Sequence, residues 1–518
     1  MDSNTPGTPV PPRAPKLPPV FRQRLEKVDK LRSMGVEPWP WTWERSHRVS
    51  QLLEDSDGFV TRETEVRLAG RLMAWRRMGG ASFAQLEDFS GKIQLFIQRE
   101  TVGADSFDII KLFDIGDIVG VRGTAFVTKT GEFTLNVVEA TLLAKNVHPL
   151  PAVKEKDGQV FDEYSDKEAR YRQRYIDLLV NPGVRETFVQ RTRIISLIRH
   201  FLEERDYFEV ETPILQPVYG GAAARPFVTH HNSLDMKLYL RIANELYLKR
   251  LIVGGFERVF EFAHDFRNEG IDRFHNPEFT MIELYCAYKD YHYMMDLVEE
   301  LVSSLAEKLL GHTEVDWNGH RIQLKAPWRR ATMMDLIQEA TGQDLLGAPR
   351  AVLEEAARKA GVEVLASHSD STLLDGIFGE KVEPFLIQPT FVMDHPVEMS
   401  PLAKRHRHDA RLTERFEAVV GGKELCNAFT ELSDPFDQKS RFVEQNELIA
   451  RGDLDAQPYD EDFIKALEVG MPPTAGLGIG IDRLVMLLTG QDSIRDVIFF
   501  PTLRPEGGAR KSKDNKRS

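Results

Sequence analysis

The chain has 518 residues, 42% hydrophobic and 28% charged, with a formal net charge of -13; this length asks for two to four domains, and the balance excludes a fibrous or wholly disordered chain. No apolar run is long enough to span a bilayer, the N-terminus lacks the apolar stretch of a secretory signal, and only two cysteines occur, Cys286 and Cys426, so no membrane partner, disulfide framework or all-cysteine zinc site is expected and the setting is a reducing cytoplasm. The acidic total argues against indiscriminate nucleic-acid binding, while leaving room for a local basic face.

Residues 1–60 begin with the proline-rich "MDSNTPGTPVPPRAPKLPPV", read as a flexible leader. "FRQRLEKVDKLRSMG" follows as a short amphipathic helix. Over 65–147 the pattern changes to alternating apolar and polar residues broken by glycine-bearing turns, as in "EVRLAGRLMAWRRMGGASFAQLEDFSGKIQLFIQRE". Five short strands of this kind predict a small closed barrel of the OB type, bounded at 61–150. A polar linker covers 151–180. From 185 the period becomes helical: Ile194, Ile198, Phe201 and Leu202 repeat at i, i+4, i+7 and i+8, one face of a helix. Residues 320–380 read as an inserted hairpin with helices. The end, 506–518, is basic and expected to be disordered.

Three stretches carry chemistry. In "RVFEFAHDFRNEGIDRFHNPEFTMIELY" a period of two puts Phe260, Phe262, His264 and Phe266 on one face of a strand and Glu261, Ala263, Asp265 and Arg267 on the other. In the second strand Phe279, Met281, Glu283 and Tyr285 share a face. Arginine and histidine at a strand end suit phosphate oxygens, and Phe279 offers a plane on which a base can stack. A solvated hairpin accounts for the charge but not for the sorting of the faces.

The second stretch, "RFEAVVGGKELCNAFTEL", holds Gly421-Gly422 where a two-residue turn belongs. That turn sets Val419 opposite Glu424 and Glu417 opposite Cys426, with Glu417 and Glu424 diagonal on one face. The pair either bridges a hard cation such as Mg²⁺ or keeps an edge hairpin soluble. Strict alternation sends Asn427, Phe429 and Glu431 to the other face, so a bulge after Glu424 is required if all of them line one site.

In the third, "AGLGIGIDRLVMLLTG", the glycines miss the dinucleotide fingerprint because Ile481 stands at its last position and no βαβ unit follows. Such a glycine-rich strand either lets a ligand lie against the backbone or only packs helix on sheet. Arg483 in the first turn of the following helix makes an anion site. The histidines of "KRHRHD" read as a solvated loop, and those of "VTHHN" as either core or site.

Taken together, "FLEERDYFEVETPILQP", "FRNEGIDRFHNPEFTMIELY" and "GLGIGIDRL" resemble motifs 1, 2 and 3 of class II aminoacyl-tRNA synthetases. "GGAAARPFVTHHNSLDMKLYLRIANELYLKRLIVGGFERVFEF" and "GGKELCNAFTEL" narrow the resemblance to the bacterial-type lysyl-tRNA synthetase family, from about residue 60 to 505. The resemblance implies an α+β fold: an antiparallel sheet with helices as the catalytic domain over 181–505, preceded by an OB-fold anticodon-binding barrel. It implies a homodimer with its interface around 187–217. It implies ATP, L-lysine and tRNA-Lys as substrates and Mg²⁺ as cofactor. Residue by residue, Arg267 matches the arginine on the substrate carboxylate and α-phosphate, Glu269, His275 and Asn276 match ATP contacts, Phe279 the ring under adenine, and Arg483 the arginine on the γ-phosphate. Arg267, Glu269 and Arg483 thereby become the catalytic set. Glu417 and Glu424 match a Mg²⁺ pair. Gly221, Glu245, Glu283, Tyr285, Asn427, Phe429 and Glu431 match the lysine pocket, and Phe83, Gln94 and Glu132 the anticodon readers. "HDFRNEGIDRF" and "ELSDP" depart from common family versions without touching a matched position.

Overall fold

Alternation over 65–147 becomes a closed barrel in the computed structural model, which describes residues 18–151, 154–156, 159–161, 165–365, 368–450 and 456–506. The chain divides into two units, Met1–Tyr164 and Ser165–Ser518. The first seventeen residues of the proline-rich leader and the basic tail from 507 lie outside the described residues.

In the first unit, β1 (Glu65–Met78), β2 (Ala81–Glu87), β3 (Lys92–Gln98), β4 (Ile118–Val127) and β5 (Phe133–Ala144) close in the order β1-β2-β3-β5-β4. Strict alternation sends Leu86, Ile93, Leu95, Val121 and Leu135 inward, all buried. Leu31 of α1 (Pro19–Ser33), with Val49, Leu52 and Phe59 from the segment before the barrel, joins that core. Arg24 donates to Asn146 Oδ1 at 2.7 Å and fastens α1 to the barrel's end.

The second unit is built on eight strands. In chain order they are β6 (Phe208–Glu209), β7 (Arg258–Phe266), β8 (Glu278–Ala287), β9 (Arg329–Thr332), β10 (Thr390–Met393), β11 (Arg415–Val420), β12 (Lys423–Thr430) and β13 (Thr474–Gly480). They lie in the order β9-β10-β11-β12-β13-β8-β7-β6. The six central strands are antiparallel, as expected, and a parallel pair closes each edge, β9 on β10 and β6 on β7. The range read as an insertion, 320–380, is not all inserted: it holds the second strand of a hairpin, Glu314–Trp317 with His320–Gln323, then the main-sheet edge strand β9, then helices Met333–Thr341, Arg350–Ala360 and Asp370–Lys381.

One sheet face is apolar. Phe260, Ile282, Leu284, Ala428, Leu477 and Ile479 pack there against Ile194, Ile198, Phe201 and Leu202 of α2 (Pro182–Glu203) and against α4 (Tyr291–Leu310) and α5 (Ile481–Thr489). The helical period read for α2 therefore marks its buried stripe. Asp482 ties the layers together, accepting from Thr280 N at 2.8 Å and from Arg191 Nη1 at 2.5 Å. The opposite face is left for polar side chains. At one end it is roofed by α3 (Glu245–Val253) and by helices Pro435–Ala450 and Glu461–Val469.

The turn between β11 and β12 has Gly421 and Gly422 both at positive φ, 60° and 71°, the backbone that favours glycine pairs in two-residue hairpins. Val419 faces Glu424 as expected. Glu417, however, pairs with Asn427 rather than Cys426, because Leu425 is inserted as a bulge and Ala418 takes Cys426.

Candidate active site

The polar sheet face carries a cleft of about 600 Å³. Its floor is β13. Gly476 lies between Tyr285 of β8 and Phe429 of β12, and Gly478 between Glu283 and Asn427. A Cβ on Gly476 would come 2.0 Å from Glu431 Oε1 and 2.5 Å from Tyr285 Cε1. The missing side chain at Gly476 thus makes room for the side chains of Glu431 and Tyr285 over the floor of the cleft.

One end of the cleft is cationic and aromatic. Arg267, just past β7, lies with its guanidinium 5.0 Å from the Phe279 ring centre and donates to Ile242 O at 3.4 Å. Arg483, in the first turn of α5, donates from Nη1 to the Glu424 carbonyl at 2.7 Å, and its Nη2 lies 3.3 Å from His275 Nε2. His275 is oriented through Nδ1 by Asp272 Oδ2 at 2.8 Å. Asn276 donates to Glu278 O at 2.6 Å and accepts from Thr502 N at 3.3 Å, so it stiffens the loop as well as lining the cleft. Glu269 is exposed at the mouth.

The other end is acidic and closed. Glu245, Glu283, Tyr285 and Glu431 are 5%, 7%, 3% and 1% exposed. Gly221 borders them at a positive φ of 90°, where an added Cβ would sit 3.0 Å from both Ala243 Cβ and Glu245 Cβ. Tyr285 donates to Glu283 Oε2 at 3.0 Å. Burial pushes the Glu283 carboxyl well above the ordinary range, and Asp265 and Glu245 push the same way. Asp265, on the same face of β7, is raised to about 6, first by burial, against the pull of Arg241.

A residue not singled out from the sequence sits at the centre of this acidic end. Lys249 is fully buried; its ammonium is 2.5 Å from Glu245 Oε1 and in closer contact with Glu431 Oε2. Burial opposes its charge, but the two carboxylates outweigh burial and hold its pKa above the ordinary value. The spacing of Glu245 and Lys249, four residues on one helix, was the available signal.

Glu417 and Glu424 both face the cleft. Arg415 Nη2 lies 2.6 Å from Glu417, and its Nε donates to Asn427 Oδ1 at 2.9 Å. Among the described residues no group of three or more His, Cys, Asp or Glu side chains is placed to hold a metal alone. Two carboxylates on neighbouring strands suit a Mg²⁺ that keeps water and takes its other oxygens from phosphate.

The "KRHRHD" histidines are in an exposed loop, His406 Nδ1 accepting from His408 N and Asp409 N. Those of "VTHHN" are exposed on the hairpin strand Val228–His231. Neither pair lines the cleft.

On the barrel, Phe83 of β2 stacks on Phe96 of β3 at 4.8 Å and 29°, and Phe126 lies 6.0 Å further on. Gln94 shares that outer face and accepts from Thr134 Oγ1 at 2.9 Å. Glu132 ends the adjoining turn and is exposed, its backbone N–H donating to Thr128 Oγ1 at 3.0 Å. Phe96 was legible in the alternation of "KIQLFIQ" but was not selected.

Residues 166–504 match the family model described as tRNA synthetases class II (D, K and N), and residues 66–143 match the OB-fold nucleic acid binding domain. The chain is 53% identical over 487 residues to a lysine–tRNA ligase of Carboxydothermus hydrogenoformans, covering 94% of this chain and 98% of that one. It is 51% identical over 493 residues to a lysine–tRNA ligase of Porphyromonas gingivalis, covering 93% and 85%. A third lysine–tRNA ligase, of Azobacteroides pseudotrichonymphae, is 50% identical over 498 residues, covering 94% and 98%.

Proposed function

Because the chain belongs to the lysine–tRNA ligases of the class II synthetases, we propose that its cleft joins ATP and L-lysine as lysyl-adenylate, and that lysine then passes to the 3′ end of tRNA-Lys. One observation carries this reading. A single glycine-floored cleft has an arginine-rich end beside an aromatic ring and a buried end lined by Glu245 and Glu283, with Glu431 behind them against Lys249.

Lysine's carboxylate and the α-phosphate of ATP are both anions. Arg267, at the cationic end beside Phe279, would screen their repulsion, then the charge that grows as the lysine oxygen displaces pyrophosphate. Arg483 would hold the departing phosphates, and Phe279, His275, Asn276 and Glu269 the nucleotide. Glu417 and Glu424 would hold Mg²⁺, which when bound supplies charge neutralisation on the phosphate oxygens. No protein nucleophile is required, since positioning and electrostatics suffice for an in-line displacement. Glu245, Glu283, Tyr285 and Glu431 would meet the amines of lysine, with Gly221, Asn427 and Phe429 completing the walls.

The barrel over 61–150 would read the anticodon through Phe83, Gln94 and Glu132, with the leader and helical extension over 1–60 before it. The linker at 151–180, the catalytic domain at 181–505 and its inserted helices within 320–380 complete the assignment, with a basic tail at 506–518. A homodimer is favoured by exposed apolar residues: Phe208 on β6, Ile214 just before the strand Leu215–Gln216, Leu215 on it, and Val228 and Leu234 in the hairpin of Val228–His231 and Met236–Leu240 that pairs with that strand. A cytoplasmic setting is the natural one for this chemistry, and among the described residues no helix is long and apolar enough to cross a membrane.

An aspartate- or asparagine-specific relative is the alternative reading. A site for aspartate needs a free cation for the acidic side chain, and Lys249 is already taken by Glu245 and Glu431. ATP–pyrophosphate exchange measured with each standard amino acid tests the assignment. Exchange should depend on lysine; dependence on aspartate would overturn it.

A further inference from the structure

A lysine ammonium, the chain's own, already lies buried behind the acidic end of the cleft. Lys249 reaches from α3 to Glu245 on the same helix and to Glu431 at the end of β12, and its Nζ lies 5.3 Å from the Phe429 ring centre and 5.9 Å from that of Phe463. We propose that Lys249 is a positioning residue for amino-acid selection: its ammonium fixes the carboxyl groups of Glu245 and Glu431 and offsets the burial that disfavours their charge, so that the unpaired Oε1 of Glu431 can receive the ammonium of the substrate. This rests on the reading of the acidic end as the lysine pocket.

The count of charges carries the inference. Three buried carboxylates, Glu245, Glu283 and Glu431, converge with one internal cation. Glu431 Oε1 has no hydrogen-bond partner among the described residues and is turned toward Gly476, while Oε2 faces Lys249. Glu283 has only the Tyr285 hydroxyl and no ion pair among the described residues. Arg415, on β11, adds a more distant positive field at Glu245, and Asp265 and Glu261, on β7, add negative field at Glu283. Without Lys249, two buried carboxylates would face each other and one would take up a proton, as like charges in a dry site do. The substrate ammonium would then have to displace that proton. With Lys249 in place the pocket keeps open acceptors for one further ammonium and has no free cation for an acidic side chain.

The test is lysine-dependent ATP–pyrophosphate exchange across neutral pH, with lysine and ATP parameters measured separately on full-length protein. Lys249→Met should raise KM for lysine by about 30-fold or more and leave KM for ATP nearly unchanged. The acid limb of kcat/KM for lysine should move alkaline by about one pH unit or more. Lys249→Arg, which keeps the charge, should keep the wild-type limb. Should Lys249→Met fail to fold, Lys249→Gln carries the same test, with the same direction expected. A KM for lysine within twofold of wild type and an unmoved limb would overturn the role of Lys249, as would an alkaline shift in Lys249→Arg matching that of the neutral variants. Absence of lysine-dependent exchange in the wild type would instead sink the lysine reading itself.

Discussion

Replacing Gly476 by alanine tests the cleft floor with a single methyl group. The added Cβ would lie 2.0 Å from Glu431 Oε1, 2.5 Å from Tyr285 Cε1 and 2.9 Å from Tyr285 Cδ1, whereas real Cβ atoms keep at least 3.0 Å. The contact with Glu431 must therefore open by at least 1 Å. β13 cannot retreat, because it is hydrogen-bonded to β8 on one side and β12 on the other. Glu431 and Tyr285 must move instead, and both are buried. Overpacking of this kind costs about 1–3 kcal/mol of stability, and a 1 Å error in a positioned group costs about 10²-fold in rate. We expect kcat/KM for lysine to fall by about that factor in pyrophosphate exchange, with KM for ATP little changed. Gly480→Ala is the control, since its new Cβ would meet nothing nearer than Arg483 Cβ at 3.8 Å, an ordinary contact. If Gly476→Ala kept kcat/KM for lysine within threefold of wild type, the floor would not support the lysine end of the cleft.

Arg267→Ala should slow lysine activation by about 10²–10³, the loss of one preorganised electrostatic contact; a rate within a fewfold of wild type removes Arg267 from the chemistry. Phe83→Ala should weaken tRNA charging by about 1–3 kcal/mol, one stacking ring, while leaving pyrophosphate exchange intact, and equal loss in both assays would make the ring structural. Glu283 holds its proton in the folded chain at pH values where an unfolded one, at 4.5, has released it, so its contribution to stability falls as pH rises above that value. Glu283→Gln should accordingly flatten the ligand-free Tm against pH on the alkaline side; an unchanged slope would show the carboxyl is not raised. Leu215→Asp with Leu234→Asp should reduce the mass seen by light scattering from two chains to one, and a wild type already monomeric would refute the assigned face.

Much of this was legible in the chain. The two-residue period of the β7 and β8 stretches sorted Glu283 and Tyr285 onto one face with Phe279, and Gly421-Gly422 fixed the hairpin. Parity required a bulge after Glu424 if Asn427, Phe429 and Glu431 were to line one site with it, and Leu425 supplies that bulge. Three things escaped for physical reasons. Glu417 faces Asn427 because a bulge changes the register of everything beyond it, and simple counting across a hairpin assumes none. Lys249 was passed over because a lysine on a helix is ordinarily solvated, and only tertiary packing of Phe429, Phe463 and two acids around it reveals otherwise. The parallel edges of the sheet were equally out of reach, since pairing direction at an edge depends on chain segments distant in sequence.

The bulge at Leu425 also sets how this site can change. Glu424, before it, lies with Arg483 at the cationic end of the cleft; Asn427 and Phe429, beyond it, line the same cleft, and Glu431 follows at the acidic end. One residue acts as a phase shift between two rulers engraved on the same strand. Substitution can alter any mark on either ruler independently. A deletion or insertion of one residue cannot, because it would turn one set of marks toward the helices while the other stayed in the cleft. Under the proposed assignment of the two ends, selectivity for the amino acid is free to drift by point changes, whereas the length of this strand is locked to the distance between an amine and a phosphate.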